Sequence, residues 1–424
     1  MRFYPSIMTV VRGMALFLAV GLTACTNMVP REKLPLISDE TCGEQVKVVS
    51  IPLPVIASSP NEGITSGALT AVLLHNQQDE VYSLLAPQVN YNDYYGVSGS
   101  LYGAINPSKQ RKIEFNLAQS QHINYDYEAS FSDNGLMDGN LEFKGFLGWS
   151  ADGSARFFGF QARTPVAMET NYTDREITYN LSATWFLGRH YYLEVGHRFR
   201  DVGISRGAVT SVPFITERFN PQQVPGVHGF TTNAPHLSLI YSTLDSKTMP
   251  TSGGYARVTF EPTIKALGGA GDYRHYEVEL KGYIPHDDAK RFTSVFRTMY
   301  NQTLGDGNGT RVPFLEQSIL GGENTLRGYG RNRFIDNSFL LLNLEERIRL
   351  FRWEIFNVTA DWELAPFVDM GAVMRSLDKA VASNFEFNPG IGFRATVRPN
   401  IIGRVDVGIG REGPAVYVGL GYPF

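Results

Sequence analysis

The last ten residues, AVYVGLGYPF (415–424), decide the fold. On an extended chain, Val416, Val418, Leu420, Tyr422 and Phe424 share one face, and Tyr417, Gly419 and Gly421 share the other. Side chains alternate across a strand with period two, so one face is large and apolar and the opposite face is small. That pattern suits a barrel wall, with the apolar set toward lipid and the small set toward the lumen. The terminal aromatic, with Tyr422 two positions before it, has the form of the C-terminal membrane signal of bacterial outer-membrane proteins.

Three upstream stretches repeat the pattern. In NSFLLLNLEERIRL, Leu340, Leu342, Leu344 and Ile348 alternate with Asn343, Glu345, Arg347 and Arg349, and Glu346 breaks the apolar face. In ADWELAPFVDMGAVM, Trp362, Leu364, Val368, Met370 and Met374 alternate with Asp361, Glu363, Phe367, Asp369 and Gly371. In FEFNPGIGFRATVR, Phe385, Phe387, Ile391, Phe393 and Val397 alternate with Glu386, Asn388, Arg394 and Arg398. A soluble sandwich also alternates, with the apolar face inward, and local sequence does not separate the two. The N-terminal leader, the terminal Phe424 and the 27 Phe, 21 Tyr and 4 Trp favour a membrane barrel with aromatic girdles.

The leader is residues 1–24. Arg2 and Arg12 flank a short apolar core, GMALFLAVGLTA (13–24). It is too short to span a bilayer and reads as a secretory signal. It ends in Leu22-Thr23-Ala24-Cys25, which resembles a bacterial lipobox and would make Cys25 a lipidated first residue. The alternative is ordinary cleavage, with Cys25 and Cys42 paired in an oxidising compartment. Residues 25–50 are polar and mixed and read as a periplasmic tether, leaving 51–424 for the barrel. No later run of about 18 apolar residues appears, and only helices or closed barrels satisfy backbone groups in lipid.

About seventeen strand-like runs lie between Gly63 and Phe424. Single-chain bacterial barrels have even strand numbers, so about sixteen antiparallel strands are expected, with one run in 122–165 discounted. The two longest gaps, near 202–232 and 304–336, then fall on the outer side, and the tight connections at 250–254, 285–289 and 399–400 fall on the inner side. The second gap contains GGENTLRGYGRNRF (321–334). Loops this long are functional or disordered. If it folds into the lumen, Arg327 can meet the lumen-facing carboxylates Glu345 and Asp369, whose geometry suits a guanidinium fork. Leu326, Gly328 and Tyr329 would pack beside it. The competing reading is an exposed loop with a solvated arginine.

The combination resembles the BamA/TamA-type outer-membrane barrels, the bacterial surface antigen superfamily. Leu326-Arg327-Gly328-Tyr329 is similar to the family's loop motif. PFVDMGAV (366–373), LLNLEERIRL (341–350), STLDSKTMPTSGGY (242–255), SPNEGITSGA (59–68) and GIGFR (390–394) resemble its strand and hairpin motifs. The resemblance implies an Arg327–Asp369 pair inside the lumen, with Glu345 close by. It implies a role in insertion or translocation of client polypeptides through a seam between the first strand, placed at 64–74, and the last. Residues 26–50 leave no room for POTRA domains, so a barrel-only member is expected. A plugged pore, surface antigen or lipid scaffold is the alternative, and a secretion pore working with a separate periplasmic partner is another.

Other chemistries find little footing. The formal charge of -4 and the lack of a basic stripe argue against nucleic acid. Gly408-Ile409-Gly410-Arg411-Glu412-Gly413 matches a dinucleotide fingerprint but sits in a terminal hairpin with no helix after it. There is no HExxH, CxxC or GxSxG. A monomeric, non-enzymatic barrel in outer-membrane lipid, without cofactor or metal, is the expectation.

Overall fold

The computed structural model describes residues 25–30, 45–75, 81–108, 110–305, 311–355, 358–397 and 401–424. The leader and Cys42 lie outside the described residues. The strands are β1 (Cys25–Pro30), β2 (Gln45–Ser59), β3 (Gly63–His75), β4 (Val81–Asn92), β5 (Gly96–Ile105), β6 (Arg111–Ser120) and β7 (Tyr125–Leu136). They continue with β8 (Leu141–Phe157), β9 (Thr170–Gly188), β10 (Tyr191–Ser205), β11 (Phe230–Ser242), β12 (Gly253–Thr263), β13 (Tyr273–Pro285) and β14 (Phe292–Gly305). After the hairpin β15 (Ser318–Leu320) and β16 (Phe334–Asp336) come β17 (Ser338–Ile355), β18 (Val358–Met374), β19 (Glu386–Val397), β20 (Ile401–Gly410) and β21 (Gly413–Leu420).

From β2 onward each strand pairs antiparallel with the next, β14 passes over the hairpin to β17, and β21 returns to β2. Eighteen strands thus close one ring, and β1 lies on an edge of β2. Between Gly63 and Phe424 there are seventeen wall strands, and both β7 and β8 are among them, so no run in 122–165 is discounted. The strand that makes the number even is β2. Its first residues, 45–50, fall in the polar, mixed stretch that reads as a tether in the sequence, but they pair with β1 and β3 and belong to the wall. The first wall strand is therefore β2, one hairpin upstream of 64–74.

The barrel is apolar outside and polar inside. Val89, Leu147 and Phe387 are each 61% exposed, while Asp369, Arg394 and Asp406 are 0% exposed. This is the reverse of a soluble sandwich and the arrangement that lipid selects. Ring closure also leaves few strand edges with unsatisfied backbone in the hydrocarbon. Glu346, the break in the outer face, accepts a 2.5 Å hydrogen bond from Ser294 on the neighbouring strand.

The long connections, 158–169, 206–229, 311–337 and 375–385, all follow upward strands and lie on the outer side. Phe157, Tyr172, Ile215, Val224, Val227 and Phe314 pack there into a buried cluster that caps the outer mouth. Both described ends of the ring, Gln45 and Leu420, open on the inner side.

One face assignment changes. The alternation in 415–424 holds only to Leu420, where β21 ends. Gly421 takes φ +80°, a left-handed turn that glycine adopts without a Cβ clash. The chain then enters the lumen, so Tyr422 and Phe424 do not lie on the lipid face. The Tyr422 ring centroid lies 3.5 Å from the Arg347 guanidinium carbon, and Phe424 lies 5.6 Å from that of Arg297. Cation–π attraction in a desolvated lumen outweighs extension of the strand.

Candidate functional site

The connection from β14 to β17 leaves the wall, forms the β15–β16 hairpin and dips into the barrel. Gly321 and Gly322 turn it, with φ of +111° and +105°. At the bottom of the dip Arg327 is fully buried. Its Nε donates to Asp369 Oδ2 at 2.9 Å and its Nη2 to Asp369 Oδ1 at 2.8 Å. The Arg327 backbone N–H also donates to Asp369 Oδ2, at 3.0 Å. Nη1 reaches Glu345 Oε2 at 3.1 Å, and the Phe367 ring centroid lies 3.4 Å from the guanidinium carbon. Burial disfavours the charge, but Asp369, ahead of Glu345 and Asp406, more than offsets it and raises the Arg327 pKa.

These groups belong to a larger network. Arg394 makes a bidentate pair with Glu345 at 2.6 and 2.7 Å and reaches Glu363 at 3.2 Å. Arg347 donates to Glu345 at 2.9 Å, and Arg404 donates to Asp406 at 2.6 Å. Arg327, Arg347, Arg394 and Arg404 thus face Glu345, Glu363, Asp369 and Asp406, four charges of each sign inside the lumen, and the more exposed Glu323 also pairs with Arg404 at 2.7 Å. Desolvating one ion costs several kcal/mol, roughly, so a buried set must balance. Asn343 donates to Asp369 and to the Thr325 carbonyl, both at 2.8 Å, and so ties the wall to the loop twice.

The loop rests on bare backbone. A Cβ on Gly328 would lie 2.6 Å from the Gly410 nitrogen, and one on Gly408 would lie 2.3 Å from the Arg327 oxygen. The glycines that mimic a dinucleotide fingerprint are the seat for the loop, which accounts for a motif that sequence reading only set aside. Leu326 is buried with Leu320, Phe334, Phe339, Leu341 and Val373. The Tyr329 hydroxyl bonds to Glu386, its ring packs edge-on against Phe334 at 4.8 Å, and its carbonyl accepts from the Tyr417 hydroxyl at 2.5 Å.

Sequence reading missed a second anchor. Glu316, earlier in the same loop, is buried against the opposite wall. It accepts from Arg200 Nη1 at 2.6 Å and from Arg198 Nη2 at 2.8 Å. Arg198 also binds Glu261, and Arg200 also binds Glu176. Burial raises the Glu316 pKa, but Arg198 and Arg200 outweigh it and hold the carboxyl at about 2. The available signal was the i, i+2 spacing of Arg198 and Arg200 on the lumen face of β10, two neighbouring cations able to hold a further carboxylate between them. The loop is thus a strut, with an anion on one wall and a cation on the other.

From below, the tail closes on the same network. The Tyr422 hydroxyl donates to Glu363 at 3.2 Å, and the Phe424 ring centroid lies 5.7 Å from the Arg327 guanidinium carbon. Cys25 heads β1 and pairs in register with Ser50.

Known structures share this architecture. BamA from Haemophilus ducreyi lacking POTRA domains 1-3 is 12% identical, with a TM-score of 0.50 over 98% of this chain and 77% of that one. CdiB from Escherichia coli is 13% identical, with a TM-score of 0.52 over 94% of this chain and 67% of that one. At such identity the likeness is one of fold. Residues 109–408 match the Omp85 superfamily domain, so this chain belongs to that superfamily and is an outer-membrane β-barrel of bacteria.

Proposed function

We propose that the chain passes or inserts polypeptide at the seam between β2 and β21, with the lumen loop holding the barrel shut. The observation that carries this reading is the poverty of the seam. β2 and β21 share one register position, Ser58↔Val416, whereas β2–β3 shares thirteen and β20–β21 eight. A strand edge left without a partner is a template for another chain. The proposed work is physical: a client strand pairs with the wall, and no substrate bond is made or broken. Its partners on this reading are outer-membrane lipid and client polypeptides; a periplasmic partner protein belongs to the alternative, a secretion pore. The barrel acts as a monomer without metal or cofactor. We also propose that Cys25 carries lipid, which mass spectrometry of the mature N-terminus tests.

The experiment is in-cell photo-crosslinking from Leu53 and Ile56, both exposed on β2. Adducts with nascent barrel proteins or secreted polypeptides are expected. Adducts only with the chain's own β21 and with lipid would overturn the reading. A second reading, a plugged pore, is favoured by the strut and by the aromatic cap over the outer mouth. It calls for steady ion conductance once the loop is released, with no client adducts.

A further inference from the structure

We propose that residues 25–30 are a guard strand, held on the seam edge of β2 and displaced when another strand docks. This deepens the seam reading above and rests on it. The topology leaves β1 one position. β3 occupies one edge of β2 from Lys47 to Ser59. β1 pairs with β2 from Cys25↔Ser50 to Pro30↔Gln45 and must therefore use the other edge, the one that β21 reaches at Ser58. Both β1 and β21 are antiparallel to β2, so they run in the same direction, one above the other. The chain's own N-terminal strand fills the lower seam, where β21 would lie had its tail not turned inward at Gly421.

The sequence of β2 explains why the two strands divide its edge. Pro52 and Pro54 have no backbone N–H. Residues two apart aim their backbone groups at the same neighbour. The β3 ladder runs unbroken past both prolines, so their missing donors belong to the seam side. No strand pairs with 51–57 on that side among the described residues. β21 cannot zip down through a stretch lacking two donors. Below it, residues 45–50 keep a complete set of donors, and β1 covers that length. Uncovered, those six residues would be a pairing template for another strand. The ligand that competes with β1 is an extended strand of alternating apolar residues, running in the direction of β1.

The test uses the full chain purified in detergent. Asn27→Cys and Val48→Cys, opposed in register, are introduced in a Cys42→Ser background to lock β1 onto β2. Directly opposed residues on neighbouring strands bring Cβ atoms close to disulfide range. The probe is a fluorescent synthetic peptide with the sequence of residues 413–420, captured by a photo-crosslinker at Leu53. Capture is expected to rise about tenfold on reduction, the equivalent of one or two net backbone hydrogen bonds. A variant lacking residues 26–30 is expected to match the reduced protein. Equal capture in oxidised and reduced protein overturns the guard strand, and so does failure of the disulfide to form. A rise on reduction supports it even where the in-cell client adducts are missing, so the two readings fail separately.

Discussion

Replacing Arg327 with alanine tests the lumen strut most directly. The change removes two side-chain bonds to Asp369 and one to Glu345. It leaves three buried cations facing four buried anions. Breaking a buried pair by removing one partner costs about 3–5 kcal/mol, because the other charge stays desolvated. Asp369→Ala strands the guanidinium instead and is expected to cost a similar amount. The double variant restores balance, with Arg347, Arg394 and Arg404 facing Glu345, Glu363 and Asp406. Its loss is therefore expected to fall short of the sum of the single losses by about 2–3 kcal/mol, in the range of coupling for residues of one network. The assay is urea unfolding in micelles, followed by tryptophan fluorescence for all four proteins of the cycle. Single-channel recording on the same samples is expected to show larger conductance in both single variants. Losses that add to within about 0.5 kcal/mol would mean no coupling and would refute the anchoring of the loop by this pair.

Three more outcomes follow from the same geometry. Glu316 has its pKa lowered from the usual value near 4.5 to about 2. Its contribution is therefore complete above pH 4.5 and lost as pH falls toward 2, so conductance should rise over that window and Glu316→Gln should abolish the acid step. Gly408→Val puts a side chain where a Cβ alone lies 2.3 Å from the Arg327 oxygen. It should unseat the loop at a cost of about 1–3 kcal/mol, read as a lower unfolding midpoint and faster proteolysis of the loop. Tyr422→Ala removes the ring over Arg347 and should cost about 0.5–2 kcal/mol. A cysteine placed at Glu363 should then react faster with a maleimide added from the inner side.

The wall was legible in the sequence because lipid enforces a period-two rule on each strand separately. Leu340, Leu342 and Leu344 turn outward, and Asn343, Glu345 and Arg347 turn inward, without reference to any distant residue. The rule fails where something other than lipid decides. The start of β2 lies in a polar, mixed stretch that reads as a tether, and Pro52 and Pro54 within the strand are tolerated because their missing donors fall on the seam side. The alternation past Gly421 projected Tyr422 outward, but Arg347 and Arg394, distant in the chain, drew it inward. Glu316 escaped notice because its partners lie more than a hundred residues away, with nothing local to mark them. The loop motif at 326–329 was legible through its residue types, while its glycine seat at 408–410 needed the fold.

The two anchors of the strut also dictate an order of assembly. Arg327 meets Asp369 across 42 residues, and Glu316 meets Arg198 across 118. The two contacts hold together only when β10 and β18 stand in the same cylinder, and the seat at Gly408 needs β20 as well. The loop is therefore the last piece of the barrel to settle, because long-range contacts must await closure of the chain between them. A newly inserted molecule passes through a stage with a complete wall and an open bore. An envelope that makes this protein must tolerate a brief leak, or fold it in company that keeps the bore filled.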